Sequence, residues 1–266
     1  MKRSPSRPAD RGPARTATAT AVGERRERVI TVPVDEAGPR PCVLINMAVT
    51  ADGKIATANR QVSSFGSARD TQNLYRLRST VDAIVCGAGT LEAEQALLDP
   101  GEASYRRARR RRGLPEWPLR IAVSGSGSLS PQARVFEARE APVLVWTTEQ
   151  APAARISRLS AVAWEIWICG ERTVDLRRAC ARLARRWGVR RLLCEGGGAL
   201  NDAFLRAGLV DELHLTLCPF LVGGREAPTI ADGEGVATLA EGRRFRLRSR
   251  RRQGDEFFLV YEALRD

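Results

Sequence analysis

The stretch LLCEGGGALNDAFLRAGLVDEL, residues 192–213, predicts the fold of this chain more directly than any other. A short apolar run leads into Glu195 and three successive glycines, after which apolar residues recur at helical spacing as far as Gly208. The pattern predicts a strand, a turn without side chains, and a helix closed by a glycine. Such a unit is typical of an open α/β sheet, in which ligands bind beyond the carboxyl ends of the strands.

Strands and helices alternate on the N-terminal side of this unit. SARDTQNLYRLRSTV (67–81) is a predicted helix with Ser67 as its N-cap, and TVDLRRACARLARRWG (173–188) is an amphipathic helix that ends at Gly188. Strands are predicted at CVLINMAVT (42–50), DAIVCG (82–87), LRIAVSG (119–125), APVLVWTT (141–148) and AVAWEIWICG (161–170).

Three apolar runs without intervening helices follow on the C-terminal side: VDELHLTLCPFLVG (210–223), RFRLRSRRR (244–252) and EFFLVYEAL (256–264). The chain therefore predicts an α/β fold with a mixed, mostly parallel sheet and an antiparallel C-terminal edge. Residues 1–40 lack periodicity and indicate a mostly flexible basic tail, in which RVITVPV (28–34) suits a short added strand. Residues 41–266 are predicted to form a single domain.

The formal net charge is +12, and arginine carries almost all of it. Arginines are concentrated in the tail, in RRARRRRG (106–113) and at 243–252. In the last segment Phe245 and Leu247 alternate with arginines, which predicts a half-buried strand, whereas 106–113 is predicted to be a loop. No aromatic residues interleave with these arginines as a platform for single-stranded nucleic acid would require. The pattern argues against nucleic-acid binding as the main function.

The six cysteines form no CxxC pair, and His214 is the single histidine. We expect reduced, buried thiols and no metal site. No apolar run is long enough to span a bilayer, and the charged N-terminus lacks the apolar core of a secretory signal. A cytoplasmic protein without a membrane partner is expected.

A second glycine turn, IVCGAGTLEAE (84–94), also follows a predicted strand. A glycine turn that opens a helix lets backbone N–H groups approach a phosphate. Gly87 and Gly89 match the first two positions of GxGxxG, but Glu92 occupies the third, and no Lys-Ser/Thr follows as in a Walker A loop. The turns predict a nucleotide site outside the usual Rossmann pattern, with purely structural tight connections as the alternative.

Four motifs carry a resemblance to a known family: NMAVTADGKIA (46–56), LRSTVDAIVCGAGT (77–90), CEGGGALNDAFLRAGLVDEL (194–213) and PFLVGG (219–224). Together they resemble the riboflavin biosynthesis pyrimidine reductase family, the reductase domain of the bifunctional deaminase-reductase. The resemblance implies a dihydrofolate-reductase-like, three-layer fold with helices on both faces of the sheet. The deaminase motifs HxE and PCxxC are absent, so the chain resembles a free-standing reductase.

The family uses NADPH to convert the ribosyl group of a 5-amino-6-(5-phosphoribosylamino)pyrimidine to a ribityl group, so the resemblance implies NADPH as cofactor and a phosphorylated pyrimidine as substrate. A dihydrofolate- or pterin-type reductase is the alternative within the fold. The alternative of another class is an arginine-rich nucleic-acid-binding protein on an inactive reductase scaffold.

The resemblance also implies roles for individual residues. Asn46, Asp52, Arg78 and Glu195 would contact the substrate, and Lys54 is the candidate proton donor. Contacts to the cofactor would come from Val49, Ser64, Gly87, Gly89, Thr90, Glu94, Ser124, Gly196, Gly197, Gly198, Ala199 and Leu200.

Glu195 is an unusual neighbour for a phosphate, because both are anionic. We therefore expect its carboxylate to face a neutral polyol or an amine of the substrate, with capping of the following helix as the alternative. We also expect a preference for NADPH over NADH, since the place of the usual ribose-binding acid falls in the arginine run 106–112. One of these arginines, with Ser126 or Ser128, would hold the 2′-phosphate.

A homodimer is expected as well. Members of the family pair through the sheet edge that the late strands build, and ELHLTLCPFLVGG (212–224) is apolar enough on one face to be covered by a partner. His214 lies in this segment and is expected to be structural.

Overall fold

The computed structural model describes residues 28–35, 38–60 and 65–264. Ser64 and most of the predicted tail lie outside these residues. The strands are β1 (Val29–Thr31), β2 (Cys42–Thr50), β3 (Ala83–Gly87), β4 (Leu119–Val123), β5 (Val143–Thr147), β6 (Glu165–Ile168), β7 (Arg191–Cys194), β8 (Val210–Cys218), β9 (Phe245–Gln253) and β10 (Glu256–Ala263). The helices are α1 (Ala68–Arg78), α2 (Ala88–Ala93), α3 (Ala103–Arg111), α4 (Ala153–Ser160), α5 (Leu176–Trp187) and α6 (Gly198–Arg206).

These strands form one sheet in the order β1-β6-β5-β4-β3-β7-β2-β8-β10-β9. Neighbours from β1 to β8 are parallel, and β10 pairs antiparallel with both β8 and β9. The predicted mostly parallel sheet with an antiparallel C-terminal edge is confirmed, and the added strand suggested by RVITVPV is β1. Since β3 and β7 are neighbours, the glycine turns that follow them emerge side by side.

A helical layer covers each face of the sheet, because successive residues of a strand point to opposite faces. On one face the core around Val85 includes Leu183 of α5 and Phe204 of α6. On the other face the core around Ile84 includes Leu77 of α1. This arrangement confirms the prediction of helices on both faces.

The predicted helix ends are confirmed where a cap residue marked them. Ser67 caps α1, and its hydroxyl accepts a hydrogen bond of 3.1 Å from the N–H of Arg69. Gly188 ends α5 with φ +65°, and Gly208 follows α6 with the same angle. Glycine adopts this left-handed conformation without the Cβ clash of other residues.

The prediction of a loop at 106–113 was wrong, because most of this segment belongs to α3. Arginine is a good helix former, and only Gly113, with φ +72°, stops the helix. Tyr105 stacks on Tyr75 of α1 with ring centroids 5.6 Å apart. The fully buried Arg109 donates hydrogen bonds to the carbonyls of Val81 and Pro115, 2.7 and 2.8 Å away, and burial lowers its pKa to about 10. An arginine that packs inward is invisible to a hydrophobic pattern.

The expected position of 212–224 at the sheet edge was also wrong. Most of that segment is β8, which lies between β2 and β10, so strands of the same chain pair with both of its backbone edges. The edge strand is β9, whose side chains are mostly exposed. No helix in the described part of the chain is long and apolar enough to cross a membrane.

Candidate functional site

An open groove of about 730 Å³ runs along the carboxyl ends of β3, β4 and β7. Its walls come from the β3–α2 turn, the serine-rich turn after β4, the loop between β6 and α5, and one side of α6. Ligand pockets in proteins typically measure about 300–1,000 Å³, so the groove can accept a cofactor. The residues predicted for the cofactor that line it are Gly87, Gly89, Ser124, Ala199 and Leu200.

The two glycine turns are hydrogen-bonded to each other, and of the two only the first, at Gly87 and Gly89, lines the groove, whereas Gly196, Gly197 and Gly198 do not. The N–H of Gly87 donates a 2.8 Å hydrogen bond to the carbonyl of Gly196, and the N–H of Glu195 donates one of 3.0 Å to the carbonyl of Val85. The turns are therefore one structural unit, although more than 100 residues separate them in the sequence.

The bare backbone at 196–198 is required by close packing. Gly196 has φ +85°, and a Cβ at position 197 would lie 2.7 Å from Oγ1 of Thr90. A Cβ at position 198 would lie 2.5 Å from the carbonyl oxygen of Thr229. Close packing is therefore a sufficient reason for glycine at these positions. It does not exclude a second role of the same glycines in ligand binding.

The N-terminus of α6 suits an anion. Its N-cap is Gly197, which offers no side chain to the first-turn N–H groups, and Ala199 and Leu200 of that turn line the groove. Unsatisfied N–H groups and the helix dipole together attract a phosphate. The N–H of Leu200 already donates to the carbonyl of Gly197 over 3.0 Å, and the carboxylate of Asp232 packs against Gly198, 2.5 Å from where a Cβ would stand. The backbone at Ala199, which lines the groove, is therefore the part of this helix terminus that suits the pyrophosphate of a dinucleotide.

Arg78 and Glu195 form a buried ion pair beside this unit. Nε and Nη2 of Arg78 donate to the two carboxylate oxygens of Glu195 over 2.7 and 2.6 Å, and Nη1 donates to the carbonyl of Asp99 over 2.8 Å. The ring of Tyr75 lies 5.3 Å from the guanidinium. Burial alone would lower the pKa of Arg78, but the charge and hydrogen bonds of Glu195 outweigh it, so the pKa is raised.

The two residues had been expected to contact the substrate separately. The structure brings them together instead, and both oxygens of Glu195 already accept hydrogen bonds from Arg78. The alternative role for Glu195 as the cap of α6 is not observed, since Gly197 is the N-cap.

Glu94 lies at the C-terminal end of α2 and belongs to the same electrostatic cluster. The pKa of this carboxyl is raised to about 7, first because burial disfavours its charged form and second because Glu195 is negative, while Arg78 opposes the shift. The neutral form of Glu94 is therefore favoured well above the pH at which an ordinary glutamate loses its proton.

Asn46 supplies a buried polar atom without a partner. Its side chain is 9% exposed, and its Oδ1 accepts no hydrogen bond within the described residues. The register that pairs Ile45 with Cys194 places Asn46 beside Glu195. Buried polar atoms are rarely left unsatisfied, so this oxygen is a candidate contact for a ligand group that donates a hydrogen bond.

The turn after β2 is anchored to the loop that follows β8. The carboxylate of Asp52 accepts hydrogen bonds from the hydroxyl of Thr50 over 2.6 Å and from the N–H of Gly223 over 2.7 Å. These bonds lower its pKa to about 2. Nζ of Lys54 donates to the carbonyl of Ala227 over 3.1 Å. Both predicted site residues thus hold a loop in place.

The remaining predicted residues are spread around the same region. Thr90 lies in the first turn of α2 next to Gly197. Val49 is buried near the end of β2, and Oγ of Ser124 accepts a hydrogen bond from the N–H of Leu129 over 3.2 Å. Ser64 falls outside the described residues. His214 lies on β8 with Nε2 2.8 Å from the carboxylate of Glu212, which is consistent with the expected structural role.

Sequence reasoning missed one wall of the groove. Arg172 and Arg177, from the loop between β6 and α5 and from α5 itself, line the groove, whereas no residue of 106–112 does. The signal was present in CGERTVD (169–175), where a glycine and a capping aspartate follow a strand, but its charge is modest beside the longer arginine runs.

The chain is similar in sequence to proteins of one known family. A model of the RibD C-terminal domain family matches residues 41–259. The 2,5-diamino-6-ribosylamino-4(3H)-pyrimidinone 5′-phosphate reductase of Methanothermobacter thermautotrophicus is 36% identical over 222 residues, 84% of this chain and 98% of the relative. The protein of the same name from Aquifex aeolicus is 30% identical over 229 residues, 85% of this chain and 97% of the relative.

Solved structures show the same fold. A pyrimidine reductase-like protein from Corynebacterium diphtheriae superposes with a TM-score of 0.74 at 24% identity, covering 85% of this chain and 93% of that one. RibD from Acinetobacter baumannii superposes with a TM-score of 0.67 at 21% identity, covering 85% of this chain and 58% of that one. The expected dihydrofolate-reductase-like fold is confirmed.

Proposed function

The chain belongs to the RibD C-terminal domain family, and on this premise we propose that it reduces 2,5-diamino-6-ribosylamino-4(3H)-pyrimidinone 5′-phosphate with NADPH, converting the ribosyl group to a ribityl group in riboflavin biosynthesis. Relatives with this substrate in their names include three that the chain matches over 88–98% of their length. The structural feature that supports the proposal best is the hydrogen bond from Gly87, which lines the groove, to Gly196, because it joins the groove to the turn that carries Glu195 and its partner Arg78.

The groove fits the cofactor along its length. The first turn of α6 would hold the pyrophosphate through backbone N–H groups. The cofactor would supply a hydride from its nicotinamide ring. Because the substrate residues lie towards β2, the nicotinamide end would lie towards β2 and the adenosine end towards β4 and β6.

The substrate is held on the other side of the junction. Oδ1 of Asn46 offers an acceptor for a hydroxyl or amine, and the Arg78–Glu195 pair presents a rigid polar surface with little net charge. A surface that is locked before binding loses little entropy when a neutral polyol docks on it. Positioning of the acceptor carbon is the main task that hydride transfer sets the protein.

Reduction also adds a proton to the oxygen that is released when the sugar ring opens. Two protonatable groups are candidates for this step. Lys54 lies in the same turn as Asp52, with its Nζ donating to the carbonyl of Ala227, and Glu94 has a pKa of about 7. A general acid works best when its pKa lies near the working pH.

The test is a turnover assay that follows NADPH absorbance with three acceptors: the diaminopyrimidinone ribosyl phosphate, its deaminated aminouracil counterpart, and dihydrofolate. We expect the first to be reduced with the highest kcat/KM and dihydrofolate not at all. A protein that reduces only dihydrofolate contradicts the proposal, and so does one that ignores NADPH. Retention on DNA with a steep salt dependence in place of turnover would support the nucleic-acid-binding alternative.

The enzyme is further proposed to be a homodimer. Strand β9 leaves one backbone edge unpaired in the described chain, and Leu247 and Phe257 are 45% and 43% exposed near it. Open sheet edges with apolar side chains favour pairing with another chain.

A further inference from the structure

The groove has a far end, away from the substrate residues. In the sheet β4 and β6 lie on the opposite side of β3 from β2, so the walls built after β4 and β6 surround this end. Ser126 and Ser128 come from the turn after β4, and Arg172 and Arg177 come from the facing segment before and within α5. All four side chains are exposed and line the groove.

The charges at this end are poorly balanced. Within the described residues Arg172 and Arg177 make no ion pair, whereas Arg206 on the same lining lies 2.9 Å from Asp202. Asp175 is the one carboxylate among the lining residues, and it is engaged with the N-terminus of α5 and with Arg178 at 2.8 Å. Two arginines therefore line the groove without a counter-charge.

We infer that Arg172 and Arg177 bind the 2′-phosphate of NADPH and so select it over NADH, an inference that rests on the proposed function. With the pyrophosphate at α6 and the nicotinamide towards β2, the adenosine ribose reaches the end that these arginines line. A phosphate monoester is a dianion near neutral pH, and arginine binds it through charge-assisted, often bidentate hydrogen bonds. The hydroxyls of Ser126 and Ser128 on the opposite wall donate further hydrogen bonds. NADH presents only a hydroxyl there.

The arginine run of α3 takes no part in this site. Arg109 of that helix contacts the carbonyl of Arg78, the last residue of α1, and that of Val81 in the connection to β3, and no α3 residue lines the groove. Arg107 and Arg111 are exposed and make no ion pair within the described residues. Replacing these two removes the same charge from the protein as replacing Arg172 and Arg177, which makes them a matched control.

The experiment is calorimetric titration with 2′,5′-ADP and with 5′-AMP, which differ only in the 2′-phosphate. The proteins compared are the wild type, Arg172→Ala/Arg177→Ala and Arg107→Ala/Arg111→Ala, with thermal unfolding to confirm that each is folded. We expect the first variant to lose about 10- to 100-fold in affinity for 2′,5′-ADP while its affinity for 5′-AMP changes little. The control variant should match the wild type with both nucleotides.

Three results would overturn the inference. In the first, Arg172→Ala/Arg177→Ala keeps the wild-type preference for 2′,5′-ADP over 5′-AMP. In the second, it loses affinity for both nucleotides equally. In the third, Arg107→Ala/Arg111→Ala loses as much affinity for 2′,5′-ADP as Arg172→Ala/Arg177→Ala does. Each of these results is compatible with the proposed function if NADPH still quenches the fluorescence of the wild-type protein. A wild type that binds neither 2′,5′-ADP nor NADPH would overturn the proposed function itself.

Discussion

Arg78 and Glu195 are 117 residues apart in the sequence and bind each other through two parallel hydrogen bonds of 2.7 and 2.6 Å. The pair connects the end of α1 to the glycine turn after β7. Because both partners are buried, neither can lose the other without leaving an uncompensated charge.

Glu195→Gln keeps the size of the side chain and removes its charge. The weakened hydrogen bonds to buried Arg78 should lower the free energy of unfolding by about 1.5–3 kcal/mol and kcat/KM by roughly ten- to a hundredfold. The dissociation constant of NADPH should stay near that of the wild type, because the carboxylate faces away from the phosphates. Normal turnover would show that the pair has no role in substrate binding, and loss of NADPH would show that the division between substrate and cofactor residues is wrong.

Gly197→Asp should abolish NADPH binding. A Cβ at this position lies 2.7 Å from Oγ1 of Thr90, and the added carboxylate repels a phosphate at the α6 N-terminus. Gly197→Ala separates the two effects, since it adds the clash without the charge, and it should bind NADPH better than the aspartate variant. Equal affinities of the two variants, measured by fluorescence quenching, would show that the site holds no phosphate.

Glu94 should make stability depend on pH. Its pKa is raised from 4.5 to about 7 in the folded protein, so the folded state holds this proton more tightly than the unfolded state does. The resulting stabilisation is complete below pH 4.5 and is lost as the pH rises through 7. Glu94→Gln should therefore show a smaller fall in Tm between pH 5 and pH 8 than the wild type, as scanning calorimetry in matched buffers would reveal. Parallel curves would contradict the shift.

The homodimer can be tested by light scattering at micromolar concentration, where we expect twice the mass of one chain. Leu247→Lys and Phe257→Lys, on the exposed side chains near the β9 edge, should shift the molecule towards the monomer. The same substitution at Val162, whose exposed side chain lies between α4 and β6, serves as the control. A stable wild-type monomer would refute the prediction.

Local chemistry predicted much of the fold. The cap at Ser67 and the glycines at 188 and 208 fixed helix ends within a residue, because capping depends on neighbours in the chain. The loop prediction for 106–113 failed for the complementary reason. Whether an arginine packs inward depends on carbonyl groups that tertiary folding brings to it, as at Arg109.

The sequence by itself determined the α/β class, the two glycine turns and the residues from which the family could be inferred, since periodicity and bare backbone are local properties. Only the tertiary structure decided that Glu195 is bound to Arg78, that β8 lies inside the sheet, and that the groove takes its arginines from beside α5 instead of α3. Strand order and sheet face settle these points. Strand order and sheet face result from the burial of apolar surface across the whole domain. The spacing of residues along the chain therefore does not predict them.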